Sequence, residues 1–478
     1  MKKNKILFVL WALCVFVIQT NAQTPLSFEE SLHLLNQGNQ SLKIADKGIE
    51  IAKAERDKLN AFWYPTLQST GTFVHMSEKI EVKQPLSQFT DPAKDFVHSI
   101  VPDDKFISSI LDNIGAHTLT FPLLERNLTT IDANVMWPLF TGGKRIFASR
   151  IGNRMVDLAK AGREEAGATL QSELVETYYA LRLAQRVVDV REQTFLGLQK
   201  HYRNAMKLEE NGMINKAERL FAQVTMDEAR RELESARKDL NVAQNALKVL
   251  LNVEDAISIN PSSPLFMNHD LPDELYFKNL VSTGSYIVSK LRIQEAMADN
   301  QLKISKSAYI PTIALFGKQT LYAENLPKNL MPRTLVGVGF TWNIFDGLNR
   351  EANIRQTRLT KQTLQLGREK AQNELGVLVD KLYSEIQNAK DDVAALNTTI
   401  EMSRELVRIR KKSFQEGMAT STDVIDAETM LSKVQIAFLL AYYKYDVALA
   451  SLLSTCGMPE SFWQYSRTGQ TENFIFGK

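Results

Sequence analysis

Trp137-Pro138-Leu139-Phe140-Thr141-Gly142-Gly143-Lys144-Arg145 and Trp342-Asn343-Ile344-Phe345-Asp346-Gly347-Leu348-Asn349-Arg350 carry one pattern twice, with Phe140 and Phe345 lying 345 − 140 = 205 positions apart. Further on, Asn211-Gly212-Met213 is echoed by Glu416-Gly417-Met418, and 417 − 212 is again 205. Solenoid modules repeat every ~20–50 residues, so this period means a duplicated half-chain instead. Each half is therefore read against the other.

Downstream of each pattern lies a long helix. Residues 144–210 and 350–415 contain no proline, and at 1.5 Å per residue each predicts roughly 100 Å of helix. In the second, Leu375, Leu378, Leu382, Ile386, Ala389, Val393, Leu396, Ile400, Ser403 and Val407 form nearly a heptad seam. Gly212 and Gly417 break the two helices through left-handed backbone angles. Return helices are expected over 216–251 and 422–455, the first with a seam of Leu233, Ala236, Leu240, Ala243 and Leu247. Each half thus holds a long antiparallel helical hairpin.

Upstream of each pattern the period changes to two. Ile131, Ala133, Val135, Trp137 and Leu139 alternate with Asp132, Asn134, Met136 and Pro138, and Val336, Val338, Phe340, Trp342 and Ile344 alternate with small or polar residues. Such alternation means strands with one apolar face. Strands are expected over about 64–76 and 130–141 in the first half, and about 310–322 and 333–345 in the second. Their length suits tilted transmembrane strands, and Trp137, Phe140, Trp342 and Phe345 sit where interfacial aromatics usually lie. An ordinary half-buried hairpin fits the alternation alone equally well. Pro65 to Phe140 spans 75 positions but Pro311 to Phe345 only 34. The excess falls in Ser77–Thr130, read as a polar outward loop with a short helix around Lys105–Asn113.

Lys2, Lys3 and Lys5 precede an apolar run from Ile6 to Ile18, the layout of a secretory signal peptide cleaved after Ala22. Removing three lysines leaves 54 basic against 55 acidic residues, near −1. That balance gives no reason to expect nucleic acid. Cys456 alone then remains, which excludes a disulfide framework. A mean hydropathy of −0.21 suits a soluble protein or a β-barrel.

Four strands cannot close a membrane barrel, which needs about eight, and open edges cannot face lipid. Three copies would supply 3 × 4 = 12 strands. The doubled Trp-x-x-Phe-[Thr/Asp]-Gly-x-x-Arg, the strand starts at Tyr64-Pro65 and Ile310-Pro311, and the segment Phe414–Ala427 together resemble the TolC-like outer-membrane efflux proteins. The likeness covers essentially all of the mature chain. It implies a mostly α fold with a transmembrane β part: a homotrimer closing a 12-stranded barrel continuous with an α-helical periplasmic tunnel. Implied partners are a periplasmic adaptor protein, an inner-membrane pump and outer-membrane lipid. The resemblance also implies acidic rings at Asp423 and Asp426, where threefold symmetry would favour cations. Both equally fit ordinary helix caps. Glu218 is the counterpart in the first half, since 218 − 212 = 423 − 417 = 6, but Lys216 and Arg219 flank it. Adaptor docking is expected at the tips: Gly212, Met213, Gly417, Met418, Ala419 and Thr420. Ala419 stands where the family often carries a basic residue.

No catalytic constellation is found. The six histidines lack ligand spacing, Gly142-Gly143-Lys144 is not a phosphate loop, and neither metal nor cofactor is expected. The expected layout is a leader (1–22), a first repeat (23–255), an equatorial link (256–272), a second repeat (273–457) and a tail (458–478). A periplasmic coiled-coil adaptor or structural protein without a barrel is the alternative; a secreted enzyme is a third, unsupported one.

Overall fold

The computed structural model describes residues 24–101, 105–253, 259–325 and 332–472. The expected signal peptide lies outside them. In chain order the elements are β1 (Thr24–Leu26), α1 (Phe28–Gly38), α2 (Gln40–Asn60), β2 (Thr66–His75), β3 (Ile80–Pro85), α3 (Ser87–Ile100), α4 (Lys105–Gly115), β4 (Thr118–Leu124) and β5 (Asn127–Phe140). Then follow α5 (Lys144–Glu210), α6 (Lys216–Leu251), β6 (Ile259–Pro261), β7 (Phe266–Met267), α7 (Glu274–Gly284) and α8 (Tyr286–Ser307). The chain continues through β8 (Thr312–Glu324), β9 (Thr334–Thr341), α9 (Asn349–Gln415), α10 (Ser421–Thr455), α11 (Ser461–Thr468) and β10 (Gln470–Thr471). They form two compact units: Glu55–Gly152 with Ala298–Leu359, and the remaining segments.

The first unit is built on a four-stranded antiparallel sheet in the order β2-β5-β8-β9. The two hairpins, β2–β5 and β8–β9, join through β5 and β8, from Thr129 opposite Glu324 to Phe140 opposite Ile313. The outer edges of β2 and β9 have no partner among the described residues. β9 ends at Thr341, four residues short of the expected strand end at Phe345. Its partner strand fixes the limit: Thr312 pairs with Thr341, and the preceding Pro311 has no N–H to extend the ladder. The first strand likewise starts only after Pro65.

The long insertion between β2 and β5 departs most from expectation. Instead of a polar loop with one short helix it holds β3 paired with β4 and two helices, α3 and α4.

The second unit is helical, with a core around Phe28, Tyr178, Tyr179, Phe266, Phe277, Tyr442, Tyr445 and Phe462. In the α9 seam Leu375, Leu382, Ile386, Ala389, Ile400, Ser403 and Val407 are buried. Leu378 is not: Val379 takes its place inside. A straight helix of 3.6 residues per turn drifts off a 3.5 repeat, so a step of four from Leu375 keeps the buried face. By length and composition α10 could cross a membrane. It serves here as the core helix, burying Phe438, Leu439, Tyr442 and Tyr445 among many others. The tail is no loose end over its described residues. β10 pairs with β7, and the buried Glu472 carboxylate is held by Arg182 at 2.9 Å and Arg186 at 3.2 Å.

Candidate functional site

Two sets of side chains answer the doubled motifs. The first lies in the sheet unit, where the motif Trp, Gly and Arg build a strand-to-helix corner twice. Trp137 donates its indole N–H to the Trp63 carbonyl at 3.1 Å. Trp342 donates to the Tyr309 carbonyl, also at 3.1 Å. The motif arginine then folds back: Arg145 lies 4.4 Å over the Trp63 ring and donates to the Leu139 carbonyl at 2.6 Å. Arg350 lies 4.1 Å over the Tyr309 ring and donates to the carbonyls of Asn343 and Ile344 at 2.8 and 3.3 Å. These bonds satisfy carbonyls that the strand ladder leaves open. The chain turns through left-handed angles at Gly142 (φ 60) and Gly143 (φ 86), and at Gly347 (φ 70) and Leu348 (φ 68). Only the last carries a side chain, at some strain cost.

Leu67, Val135, Trp137, Val336, Val338 and Phe340 alternate onto one sheet face and are exposed. The opposite face carries polar bonds. Thr320 donates its hydroxyl to the buried Asp132 carboxylate at 2.7 Å, Lys318 meets it at 2.8 Å, and Asn134 donates to Thr70 at 3.3 Å. One face so apolar and the other so bonded matches a wall between lipid and water. Phe140 and Phe345 are exposed at the two corners.

The second set lies in the helical unit, at the ends of the long hairpins. Gly212 and Gly417 take φ of 72 and 70, so each long helix closes with a left-handed residue, as Gly allows. Met213 donates its N–H to the Leu208 carbonyl and Met418 to the Ser413 carbonyl, while both side chains stay exposed. Asn215 caps α6 by accepting from the Glu218 N–H at 3.0 Å. Thr420 caps α10 by accepting from the Asp423 N–H at 3.3 Å, and Asp423 accepts in return from the Thr420 N–H and hydroxyl at 2.9 and 2.7 Å. Those bonds, with Arg410 at 3.2 Å, hold the Asp423 carboxyl below its ordinary value. Asp423 therefore completes the capping box that Thr420 opens. Asp426 is exposed. Arg219 pairs with Glu209 at 2.7 Å.

The two tips share a cleft of about 300 Å³ lined by Leu208, Met213, Glu218, Phe414, Met418, Thr420 and Asp423 among others. Glu218 and Asp423 thus come together, whereas Asp426 does not line the cleft. Beneath it Phe414, Val424, Ala205 and Ala222 form a small core, and Ala419 packs against it half-buried.

Sequence reasoning missed two contacts near the tips, one between the hairpins and one within the second. The buried His201 ring, on α5, hydrogen-bonds the Ser421 hydroxyl of α10 at 2.6 Å and packs 4.6 Å from Phe414. Burial, aided by the Lys411 charge, lowers its pKa to about 4. Lys411 also pairs with the buried Glu428. These partners lie some 220 and 17 positions apart in sequence, beyond any local spacing rule. Among the described residues no group of His, Cys, Asp and Glu could hold a metal ion.

The family profile for "outer membrane efflux protein" matches residues 125–253 and 287–458. Among curated proteins, the outer membrane efflux protein BepC of Brucella suis is 23% identical over 295 residues, 59% of this chain and 62% of its own. The alkaline protease secretion protein AprF of Pseudomonas aeruginosa is 22% identical over 293 residues, 60% of each chain. The chain thus spans less than two thirds of these relatives' lengths. Among solved structures, the outer membrane protein VceC of Vibrio cholerae superposes with a TM-score of 0.71 at 15% identity, covering 90% of this chain and 96% of that one. The MtrE outer membrane channel of Neisseria gonorrhoeae superposes with a TM-score of 0.61 at 18% identity, covering 90% and 89%.

Proposed function

Since the chain belongs to the outer membrane efflux protein family, we propose that it works as a trimeric channel-tunnel, carrying cargo outward across the outer membrane in efflux or type I secretion. One observation carries this reading: a four-stranded sheet with an exposed apolar face, a hydrogen-bonded polar face and two edges without a partner among the described residues. In hydrocarbon each unsatisfied edge group costs several kcal/mol, so β2 of one copy pairs with β9 of the next. Three copies close 12 strands, with lipid against the Val135 and Val336 face and water against the Asp132 face. Trp137, Phe140, Trp342 and Phe345 mark the membrane–water boundary at the strand-to-helix corners.

The helical hairpins supply the periplasmic tunnel. Their tips, at Gly212, Met213, Gly417, Met418, Ala419 and Thr420, are the docking surface for a periplasmic adaptor, which couples the tunnel to an inner-membrane pump. The exposed Met213 and Met418 suit an adaptable apolar contact. Asp423, Asp426 and, more weakly, Glu218 place carboxylates near the tunnel entrance, and threefold repetition concentrates their field in favour of cations. No catalytic step is assigned to any residue.

Planar-bilayer recording tests the reading. Purified protein inserts as a cation-preferring pore, and Asp426→Asn weakens that preference without disturbing the Thr420–Asp423 cap. A chain that forms no pore refutes the channel. A pore whose ion selectivity is untouched by Asp426→Asn and Asp423→Asn together refutes the acidic ring alone.

A further inference from the structure

The insertion between β2 and β5 has its amphipathicity turned inside out. α3 and α4 run antiparallel and touch along a polar edge: a Cβ on Gly115 would meet the Thr90 hydroxyl, and Lys94 pairs with Asp112. Helix periodicity puts Phe89, Phe96 and Ile100 in one stripe of α3 and Ile110 and Ile114 in one stripe of α4. All five are exposed, Phe96 at 67%. A self-sufficient helical pair would bury its apolar stripes and show its lysines and aspartates.

We propose that these stripes are covered by the same insertion of neighbouring copies, so that the trimer is held by a second, extramembrane contact, a collar of six helices built from three insertions. This rests on the trimeric reading above. Two observations select a second copy as the occupant. The insertion grows directly from β2, the strand whose free edge must meet the next copy: only residues 76–79 separate His75 from Ile80, and 125–126 separate Leu124 from Asn127. A contact between copies at that edge therefore continues into the insertion. Charge argues against a lipid surface. Interfacial helices carry Lys and Arg on their polar face to meet anionic headgroups, whereas α3 and α4 set Asp91, Asp95 and Asp112 against Lys94 and Lys105. The β8–β9 hairpin has no such insertion, so each copy contributes one collar segment, and threefold repetition gives a closed ring rather than an open chain of contacts.

The test uses full-length protein purified into liposomes, where only lipid and other copies can cover a side chain. An environment-sensitive dye is placed by Phe96→Cys, and separately by Ile110→Cys so that one misfolded variant does not decide the matter. Cys456 stays silent, because it is fully buried and burial raises its thiol to about 12. Oligomer mass is measured on the same samples. The collar predicts a dye shielded at least fivefold from acrylamide in the trimer relative to the dissociated chain, and unquenched by spin-labelled lipid. Quenching by spin-labelled lipid overturns the proposal in favour of a membrane surface. A dye equally open to acrylamide in trimer and single chain also overturns it, with the trimer standing. A single-chain mass overturns both the collar and the trimeric reading.

Discussion

The two strand-to-helix corners offer a matched experiment, because the duplication sets the same backbone in different surroundings. Gly142 and Gly347 occupy equivalent positions with φ of 60 and 70. An alanine in a left-handed conformation costs about 1–2 kcal/mol, and about 0.4–1 kcal/mol of that is offset by the stiffer unfolded chain. At Gly347 nothing lies within 4 Å of the added Cβ, so Gly347→Ala loses about 1 kcal/mol in all. At Gly142 the Cβ would stand 2.9 Å from the Ile310 Cβ and 3.1 Å from the Ser307 carbonyl oxygen. Overpacking adds about 1–3 kcal/mol, so Gly142→Ala exceeds Gly347→Ala by about 2 kcal/mol, near a 30-fold change in the folding equilibrium. Leu348 provides the reverse arm. It holds φ 68 with its side chain exposed, and Leu348→Gly gains about 0.5 kcal/mol from relieved strain less the entropy of glycine. Denaturant midpoints of the three variants, refolded into liposomes, order them as Leu348→Gly above wild type, then Gly347→Ala, then Gly142→Ala. Equal losses at 142 and 347 would refute the assignment of distinct surroundings. A loss on Leu348→Gly would refute the claim of backbone strain.

The arginine staples differ in the same way: Arg350→Ala strands more carbonyls than Arg145→Ala, so it lowers the midpoint further, by about 1–3 kcal/mol. His201 makes the tips acid-sensitive. Its folded pKa near 4 lies below the ordinary 6.5, so the unfolded chain takes up the proton first. Its stability contribution is complete above about pH 6.5 and shrinks as pH falls to 4, by at most about 3 kcal/mol. Hydrogen exchange of tip amides should rise between pH 6.5 and 4, and His201→Gln should flatten that rise. Thr420→Ala removes the α10 cap and costs about 1 kcal/mol, read as faster tip exchange with the sheet amides unchanged.

The doubled motif made the strands, long helices and their breaks legible in the sequence, because each rests on local rules: period two, period 3.6, and glycine at left-handed angles. What those rules could not reach is long-range. The doubled motif singles out Trp137 at its strand end, but its bond to the Trp63 carbonyl joins residues 74 positions apart. The sequence leaves Asp423 as either ring member or cap; its Thr420 bonds place it in the capping box, a role that leaves a charge at the tip. A heptad count puts Leu378 in the seam, but a straight helix turns it outward and Val379 in. The insertion looks polar in sequence because its apolar residues are spread over two short helices and two short strands, each too brief to register alone.

Closure of a trimer through the edges of β2 and β9 is best tested by electron cryomicroscopy of the detergent-extracted protein. The expected particle is threefold, with a 12-stranded barrel in which β2 of each copy lies beside β9 of the next, leading into a helical tunnel roughly 100 Å long. Single chains, or particles without a detergent belt around the strands, would contradict it.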